Sequence, residues 1–170
     1  MKHKLQIRLF RPVDAQVLAQ IFHEAARSTA PRFYRPQQVA AWSPAPVPDE
    51  QFLTRVSDGR HIFVAVDQRD APWGFIELEH DGHIDCFYCH PSMTGIGVGS
   101  LLYTYLEAEA VAMGLTHLRV EASEAALAFF QHRGFTLIGR QDFMRLGVPI
   151  HNYAMVKCLS RHEVASQRTS

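Results

Sequence analysis

The chain has 170 residues, a length that predicts a single domain, and its composition is that of a globular protein. Hydrophobic residues make up 47% and charged residues 20%, which excludes global disorder. The 17 basic and 17 acidic residues cancel, so the net charge gives no general attraction to nucleic acid or to an anionic membrane. Three cysteines are too few for a disulfide scaffold. Because there is no apolar run of ~18–20 residues and no apolar N-terminal signal segment, we expect a soluble cytoplasmic protein.

A strand, a helix and a proline-rich segment are predicted at the start of the chain. Apolar residues alternate from Leu5 to Leu9, and this period of two predicts a strand with one exposed face. An apolar stripe from Leu18 to Ala25 then predicts a helix. Five of the nine prolines fall between Pro31 and Pro48, so this segment can hold only short helices, predicted at 37–42 and 50–56.

The rest of the chain alternates between strands and helices in an order that predicts the fold class. Strands at 61–67, 73–79 and 83–89, joined by short turns, predict an antiparallel meander. A helix, a strand, a second helix and two further strands follow. The expected fold is α+β, with a mixed, mostly antiparallel central sheet flanked by helices and one parallel β-loop-α-β crossover. Residues 1–159 would form the domain, and residues 160–170 a polar tail.

The segment from Thr94 to Ser100 contains three glycines at alternate positions, directly before a predicted helix. Glycines allow backbone amides to approach a ligand, and a helix N-terminus favours an anion, so this loop predicts a phosphate or pyrophosphate cradle. A P-loop would require a lysine after the last glycine, and a Rossmann loop would place its third glycine one residue later. Glu121 nevertheless lies at about the right distance for a ribose-binding acid, which keeps a nucleotide-binding oxidoreductase as an alternative.

The glycine loop resembles the central motif of the GNAT-superfamily N-acetyltransferases, Arg/Gln-x-x-Gly-x-Gly/Ala between a strand and a helix. Thr94 stands in place of Arg or Gln. A second family signature, aromatic-Tyr-x-x-x-Gly-Phe, is similar to Phe129–Phe135, with Phe130 in place of Tyr. Together with the order of elements, the resemblance covers about Leu5 to Leu159. The segments that resemble a YafP-like bacterial subgroup are Arg35–Trp42 and Ala126–Phe135.

The resemblance implies an acetyl-CoA site and no metal. The loop amides would bind the pyrophosphate, and the pantetheine arm would pair with the backbone of strand 83–89, from which the next strand would splay away. Ser123 stands where the family often has a cofactor-contacting Asn, and Arg133 either reaches the CoA phosphates or is a solvated cation at a helix end. The predicted cofactor-binding residues are Phe87, Tyr88, Cys89, Thr94, Gly95, Ile96, Gly97, Val98, Gly99, Ser100, Ser123, Ala126, Phe129, Phe130 and Arg133. The predicted acceptor contacts, which could equally be core residues, are Phe33, Tyr34 and Trp42.

Acetyl transfer from a thioester requires a proton acceptor for the attacking amine and a donor for the carbonyl oxygen, such as the amide of Cys89. No covalent enzyme intermediate is needed. Asp85 is the first candidate for the base because a period of two places it on the face of Phe87 and Cys89. Glu121 is the second candidate, and Glu77 and Glu79 follow. Each of these carboxylates could also be an ordinary solvated strand residue.

The tyrosine that usually acts as the acid in this family is replaced by Phe130. Tyr153 or Tyr88 would then protonate the leaving thiolate, or the thiolate would leave unaided. Cys86 and Cys89 are predicted to be free core cysteines, because residues three apart on a strand face opposite sides. The leading hypothesis is an acetyl-CoA-dependent N-acetyltransferase that acts on a primary amine of a small molecule or a peptide N-terminus, as a monomer or homodimer without nucleic-acid or membrane partners. The alternative is a non-catalytic acyl-CoA-binding or regulatory module.

Overall fold

A computed structural model describes residues 4–160 and contains one sheet with helices on both of its faces. The helices are α1 (Ala15–Thr29), α2 (Pro36–Trp42), α3 (Asp49–Arg55), α4 (Val98–Ala112) and α5 (Leu127–His132). The strands are β1 (Gln6–Leu9), β2 (His61–Val66), β3 (Pro72–Leu78), β4 (His83–Cys89), β5 (His117–Ala122), β6 (Thr136–Arg145) and β7 (Val148–Cys158).

The strands of the sheet lie in the order β1-β2-β3-β4-β5-β7-β6. β4 and β5 run parallel and are connected through α4, and every other neighbouring pair is antiparallel. This topology confirms the predicted fold class. No helix within residues 4–160 is both long and apolar enough to cross a bilayer. The predicted polar tail lies outside the described residues, except for Ser160.

Buried apolar residues form one core on each face of the sheet and a third, smaller cluster between α2 and the β6–β7 hairpin. Leu102 and Leu106 of α4 pack with Phe130 of α5 and with the inward side chains of β2 to β5 and β7 on one face. On the other face, Leu18 of α1 and Phe52 of α3 pack against β2 and β3. We call these the α4 face and the α1 face. β4 contributes side chains to both, so the two faces meet at its carboxyl end.

A β-bulge interrupts the alternation of β4. The register between β3 and β4 shifts, so that Asp85 and Cys86 both lie opposite Glu77. Ligand-type atoms of these three residues lie within 4.8 Å of one another on the α1 face. Phe87 and Cys89 pack on the α4 face instead. The prediction that Asp85 shares a face with Phe87 and Cys89 is therefore wrong, because the extra residue of the bulge inverts the period of two.

β4 and β5 separate soon after they begin. Their pairing is confined to His83 with Arg119 and Ile84 with Val120. β5 continues to Ala122 and remains paired with β7 over its whole length. The remainder of β4, from the bulge to Cys89, therefore presents an open edge towards β5, as the family resemblance implied.

Candidate active site

A cavity of about 290 Å³ lies where β4 and β5 separate. Its wall combines the end of α1, the region of α2, the last residues of β4, and the turn between β5 and α5. The lining residues are Ala25, Ala26, Thr29, Ala30, Tyr34, Gln38, Val39, Trp42, Phe87, Tyr88, Cys89, Thr94, Ser123, Ala125, Ala126 and Phe129. Through Thr94 the cavity reaches the glycine loop.

The glycine loop has the backbone conformation and the free donors of an anion cradle. Gly95 and Gly97 have φ angles of +79° and +93°, and a Cβ added to either would meet no atom within 4 Å. Among residues 4–160, no acceptor takes a hydrogen bond from the backbone amides of residues 95–100. These donors stand at the N-terminus of α4, a 15-residue helix whose dipole favours negative charge there.

The backbone of β4 faces the cavity at alternate residues. The amide of His90 donates to the Trp73 carbonyl at 2.8 Å, so this end of β4 is hydrogen-bonded to β3. Since backbone groups point to opposite edges at successive residues, those of Phe87 and Cys89 face the edge that β5 has left open. An extended amide chain of a ligand could pair with this edge.

Seven of the predicted cofactor-binding residues line the cavity, namely Phe87, Tyr88, Cys89, Thr94, Ser123, Ala126 and Phe129. Phe130 does not, because it is 1% exposed and packs between Phe135 and Tyr103. Arg133 lies over the rings of Tyr103 and Phe129 and donates to Thr104 of α4. In the loop, Ile96 and Ser100 are exposed, whereas the Val98 side chain is buried beneath it.

Two of the three predicted acceptor contacts lie in the cavity wall. Tyr34 and Trp42 line it, and Phe33 lies outside it with 48% of its surface exposed. The indole N–H of Trp42 donates to the Tyr88 hydroxyl at 3.3 Å, which ties α2 to the end of β4. Burial raises the pKa of the Tyr88 phenol, which therefore stays protonated.

A polar cluster of Tyr34, Glu124, His151 and Tyr153 borders the cavity beside Ser123 and Ala125. One carboxylate oxygen of Glu124, Oε2, accepts from His151 Nε2 at 2.7 Å and from the Tyr153 hydroxyl at 2.8 Å. The backbone amide of Glu124 donates to the Tyr34 hydroxyl at 2.8 Å. Of the predicted catalytic residues, Tyr153 is the one that belongs to this group.

Hydrogen bonding sets the protonation of the cluster. The bond from His151, with a smaller contribution from Tyr153, lowers the pKa of Glu124, so that this carboxyl is ionised at neutral pH. The hydrogen bond with Glu124 raises the pKa of the Tyr153 phenol, so this phenol keeps its proton. Since a carboxylate only accepts, Nε2 of His151 must carry a hydrogen. Neither Oε1 of Glu124 nor Nδ1 of His151 has a hydrogen-bond partner within residues 4–160.

The other predicted carboxylate candidates have partners away from the cavity wall. Asp85 and the fully buried Glu77 bind the guanidinium groups of Arg55 and Arg60. Glu79 also pairs with Arg60. Glu121 pairs with His83, at the paired end of β4 and β5. The carboxylates of Glu77 and Asp85 are therefore neutralised by two arginines and do not form an open metal site with Cys86.

Cys86 and Cys89 are free thiols on opposite faces of β4, as predicted. Cys89 lines the cavity, and burial raises the pKa of its thiol to about 12. A thiol with so high a pKa is a poor nucleophile at neutral pH. This protonation state agrees with direct transfer and not with an acyl-cysteine intermediate.

Sequence comparison identifies relatives over most of the chain. The family described as acetyltransferase (GNAT) domain matches residues 31–157. The uncharacterised N-acetyltransferase YafP of Escherichia coli K12 is 32% identical over 155 residues, which cover 90% of this chain and 95% of YafP. The peptidyl-lysine N-acetyltransferase YjaB of the same organism is 36% identical over 88 residues, 52% of this chain and 58% of YjaB.

Solved structures share the whole fold. A GCN5-related N-acetyltransferase from Rhodopseudomonas palustris has a TM-score of 0.85 at 33% identity, covering 94% of this chain and 99% of that protein. The acetyltransferase YncA of Salmonella typhimurium, solved with its cofactor acetyl-CoA, has a TM-score of 0.69 at 21% identity, covering 94% and 96%. At that identity, YncA shows the likeness of fold alone.

Proposed function

Because the chain belongs to the GNAT family of acetyltransferases, we propose that it transfers the acetyl group of acetyl-CoA to a primary amine of a small molecule or a peptide N-terminus. The observation that carries the proposal is the separation of β4 from β5 directly beside a loop of six unpartnered amides. The loop, the open strand edge and the cavity follow one another in the order of the pyrophosphate, the pantetheine arm and the acetyl group of acetyl-CoA.

The residues present fit this cosubstrate. The amides of residues 95–100 would take the pyrophosphate, since they have no acceptor within residues 4–160 and lie at the positive end of α4. The amide groups of pantetheine would pair with the backbone of Phe87 and Cys89 along the open edge of β4. The thioester would then lie in the cavity, between the end of β4 and Ser123.

The chemistry proposed is a direct attack of the neutral amine on the thioester carbonyl. The amide of Cys89 would donate to the carbonyl oxygen as negative charge develops on it. Nδ1 of His151 would accept the amine's proton, because Glu124 holds the other ring nitrogen as a donor. Tyr153, whose proton is retained, would protonate the departing CoA thiolate. The base roles of Asp85 and Glu121 stay predictions, and their partners Arg60 and His83 give no support to them.

The alternative of a non-catalytic module was suggested by Phe130, which replaces the family's tyrosine. Phe130 is buried in the core, whereas the Tyr153 hydroxyl belongs to the cluster that borders the cavity. Tyr153 could therefore supply the missing phenol from β7, so Phe130 gives no reason to prefer the alternative. A cytoplasmic location and a monomeric or homodimeric state stay predictions.

A ligand panel tests the cosubstrate. Acetyl-CoA and CoA are expected to raise the melting temperature, whereas NAD and ATP are not. At a hundredfold excess over its dissociation constant, a ligand adds ~2.7 kcal/mol. For a chain of this length that corresponds to several degrees, at about 2–4 °C per kcal/mol. CoA release from acetyl-CoA should then depend on an added primary amine. A larger shift with NAD, or no shift with CoA, would refute the proposal.

A further inference from the structure

We propose that the acceptor is a small primary amine with an apolar body and no carboxylate, and that Glu124 binds its amino group. This inference rests on the proposed function, since it names the class of acceptor used at the same site. Two observations carry it. One is the chemistry of the cavity wall on the side of α1 and α2. The other is the carboxylate of Glu124, which lies between the lining residues Ser123 and Ala125.

The acceptor side of the cavity is formed by small and aromatic side chains. Ala25, Ala26 and Ala30 from the end of α1 face Val39 and Trp42 from α2. None of the lining residues within the described chain is Arg, Lys, His, Asp or Glu. Arg145 lies over the Trp42 ring, but its Nε donates to the Ala41 carbonyl and it is not part of the lining. The carboxylate of an amino-acid substrate would therefore find no cation among the lining residues, and an unpaired buried charge is strongly unfavourable.

Two of the polar side chains on this side, those of Tyr34 and Gln38, are already hydrogen-bonded within the protein. The Tyr34 hydroxyl accepts from the Glu124 amide and donates to the His151 carbonyl. The side chain of Gln38 accepts from the Arg35 amide and donates to the Pro149 carbonyl. A polar acceptor body would therefore find few partners, whereas an aliphatic chain or an aromatic ring would bury its surface there.

Glu124 supplies the matching charge for an amino group. Its Oε2 is occupied by His151 and Tyr153, and its Oε1 takes no hydrogen bond within residues 4–160. The nearby Arg140 is engaged with Asp142, so it does not neutralise this oxygen by direct contact. An ammonium or amine N–H would form a charge-assisted hydrogen bond with Oε1 and would lie beside His151. The carboxylate thus selects the amine end of the acceptor and presents it to the base.

Paired acceptors test the class of substrate in the wild-type enzyme. Phenethylamine and phenylalanine differ only by the carboxylate, and an acetyl-capped peptide with one internal lysine presents the same amine on a polar body. We expect kcat/KM for phenethylamine to exceed that for the other two by at least about tenfold. Equal or higher kcat/KM with phenylalanine or the peptide overturns the inference. If no amine supports turnover and CoA does not bind, the proposed function itself fails.

Variants test the role of Glu124. Glu124→Gln should raise KM for phenethylamine by about tenfold or more, the value expected when a charged hydrogen-bond partner is lost. The Kd for CoA, measured by calorimetry, should stay unchanged. Glu50→Gln is the matched control, because it makes the same change at an exposed carboxylate of α3 outside the cavity wall, and its KM should match the wild type. An unchanged KM in Glu124→Gln overturns the assignment. If that variant does not fold, Glu124→Asp, which keeps the charge, should retain phenethylamine turnover and its preference over phenylalanine.

Discussion

The Asp85 carboxylate belongs to a network of charges on the α1 face of the sheet. It binds Arg60, which is 8% exposed, and lies 3.4 Å from Arg55. Glu77 is fully buried and accepts from both arginines at 2.7–2.8 Å. Each carboxylate therefore neutralises a guanidinium that the fold has removed from water. This environment favours a structural role for Asp85 and Glu77 over contact with the acceptor.

The two carboxylates are expected to respond differently to neutralisation. Asp85→Asn should keep turnover within about threefold of the wild type, well short of the ~10²–10⁴-fold loss of a general base. Glu77→Gln should lower the free energy of unfolding by about 1–3 kcal/mol, because it removes the buried carboxylate charge to which both arginines donate. Steady-state kinetics and urea unfolding measure the two effects. A hundredfold loss of turnover in a folded Asp85→Asn variant would show that Asp85 is the general base.

The sequence predicted the residues near the cavity that belong to one short segment, and missed those that converge from afar. Phe87, Cys89 and the glycine loop follow one another along the chain, so their proximity is local. Glu124 and His151 meet through the pairing of β5 with β7, which no local pattern encodes. Two members of this cluster were predicted, Tyr34 as an acceptor contact and Tyr153 because the family's tyrosine was absent at Phe130.

At the scale of the element, the turn into α4 depends on a left-handed residue. Gly97 has φ +93° and ψ 6° at the N-cap of the helix, with open space around it. Gly147, in the turn between β6 and β7, has φ +76° and is equally open. Both glycines therefore adopt a left-handed backbone conformation, but only Gly97 lies in the glycine loop.

Substituting valine at each of these two glycines distinguishes the cost of backbone strain from the loss of CoA binding. Gly97→Val and Gly147→Val should each cost at least about 1–2 kcal/mol of unfolding free energy, because a left-handed conformation is unfavourable for a residue with a Cβ. Only Gly97→Val should abolish CoA binding in calorimetry, since its side chain projects into the space before the helix. Wild-type affinity for CoA in the folded Gly97→Val variant would show that the loop does not hold the pyrophosphate.

Predicted and observed bounds agree for the central strands, including β4, whose alternation is interrupted by the bulge. β4 at 83–89 and β5 at 117–122 have the predicted bounds. Ser123 is a residue type that favours an N-cap, which predicts that the helix after β5 starts directly after it, but α5 begins at Leu127. The carbonyl of Ser123 accepts from the amides of Ala126 and Leu127, so a turn precedes the helix and places Ser123 and Ala126 in the cavity wall. The bulge in β4 was missed because one extra residue leaves no mark on the composition of the strand.

The whole molecule consists of two groups of strands joined over a short stretch. β1 to β4 form one group, and β5 to β7 form the other. The direct pairing between them is limited to two positions, together with the bond from the Arg119 amide to the Gly82 carbonyl at 3.0 Å. The order of elements allowed this arrangement to be predicted, because a single parallel crossover must join the meander to the second half of the sheet. A ligand in the cavity would contact both groups and so add to their association.

Gly82 controls how closely the two groups of strands approach. Its φ is +90°, and a Cβ there would lie 2.3 Å from the backbone carbonyl oxygen of His117. Gly59 is the matched control, with φ +86° and a Cβ position 3.1 Å from the movable His80 side chain.

Gly59→Ala should cost about 1–2 kcal/mol of unfolding free energy for its left-handed backbone alone. Gly82→Ala should lower the free energy of unfolding by at least about 1–2 kcal/mol more, because β5 must shift. It should also weaken CoA binding, since the slot between β4 and β5 changes width. Urea unfolding and calorimetry on both variants measure these differences, and equal losses would show that the junction at Gly82 does not set the spacing of the sheet.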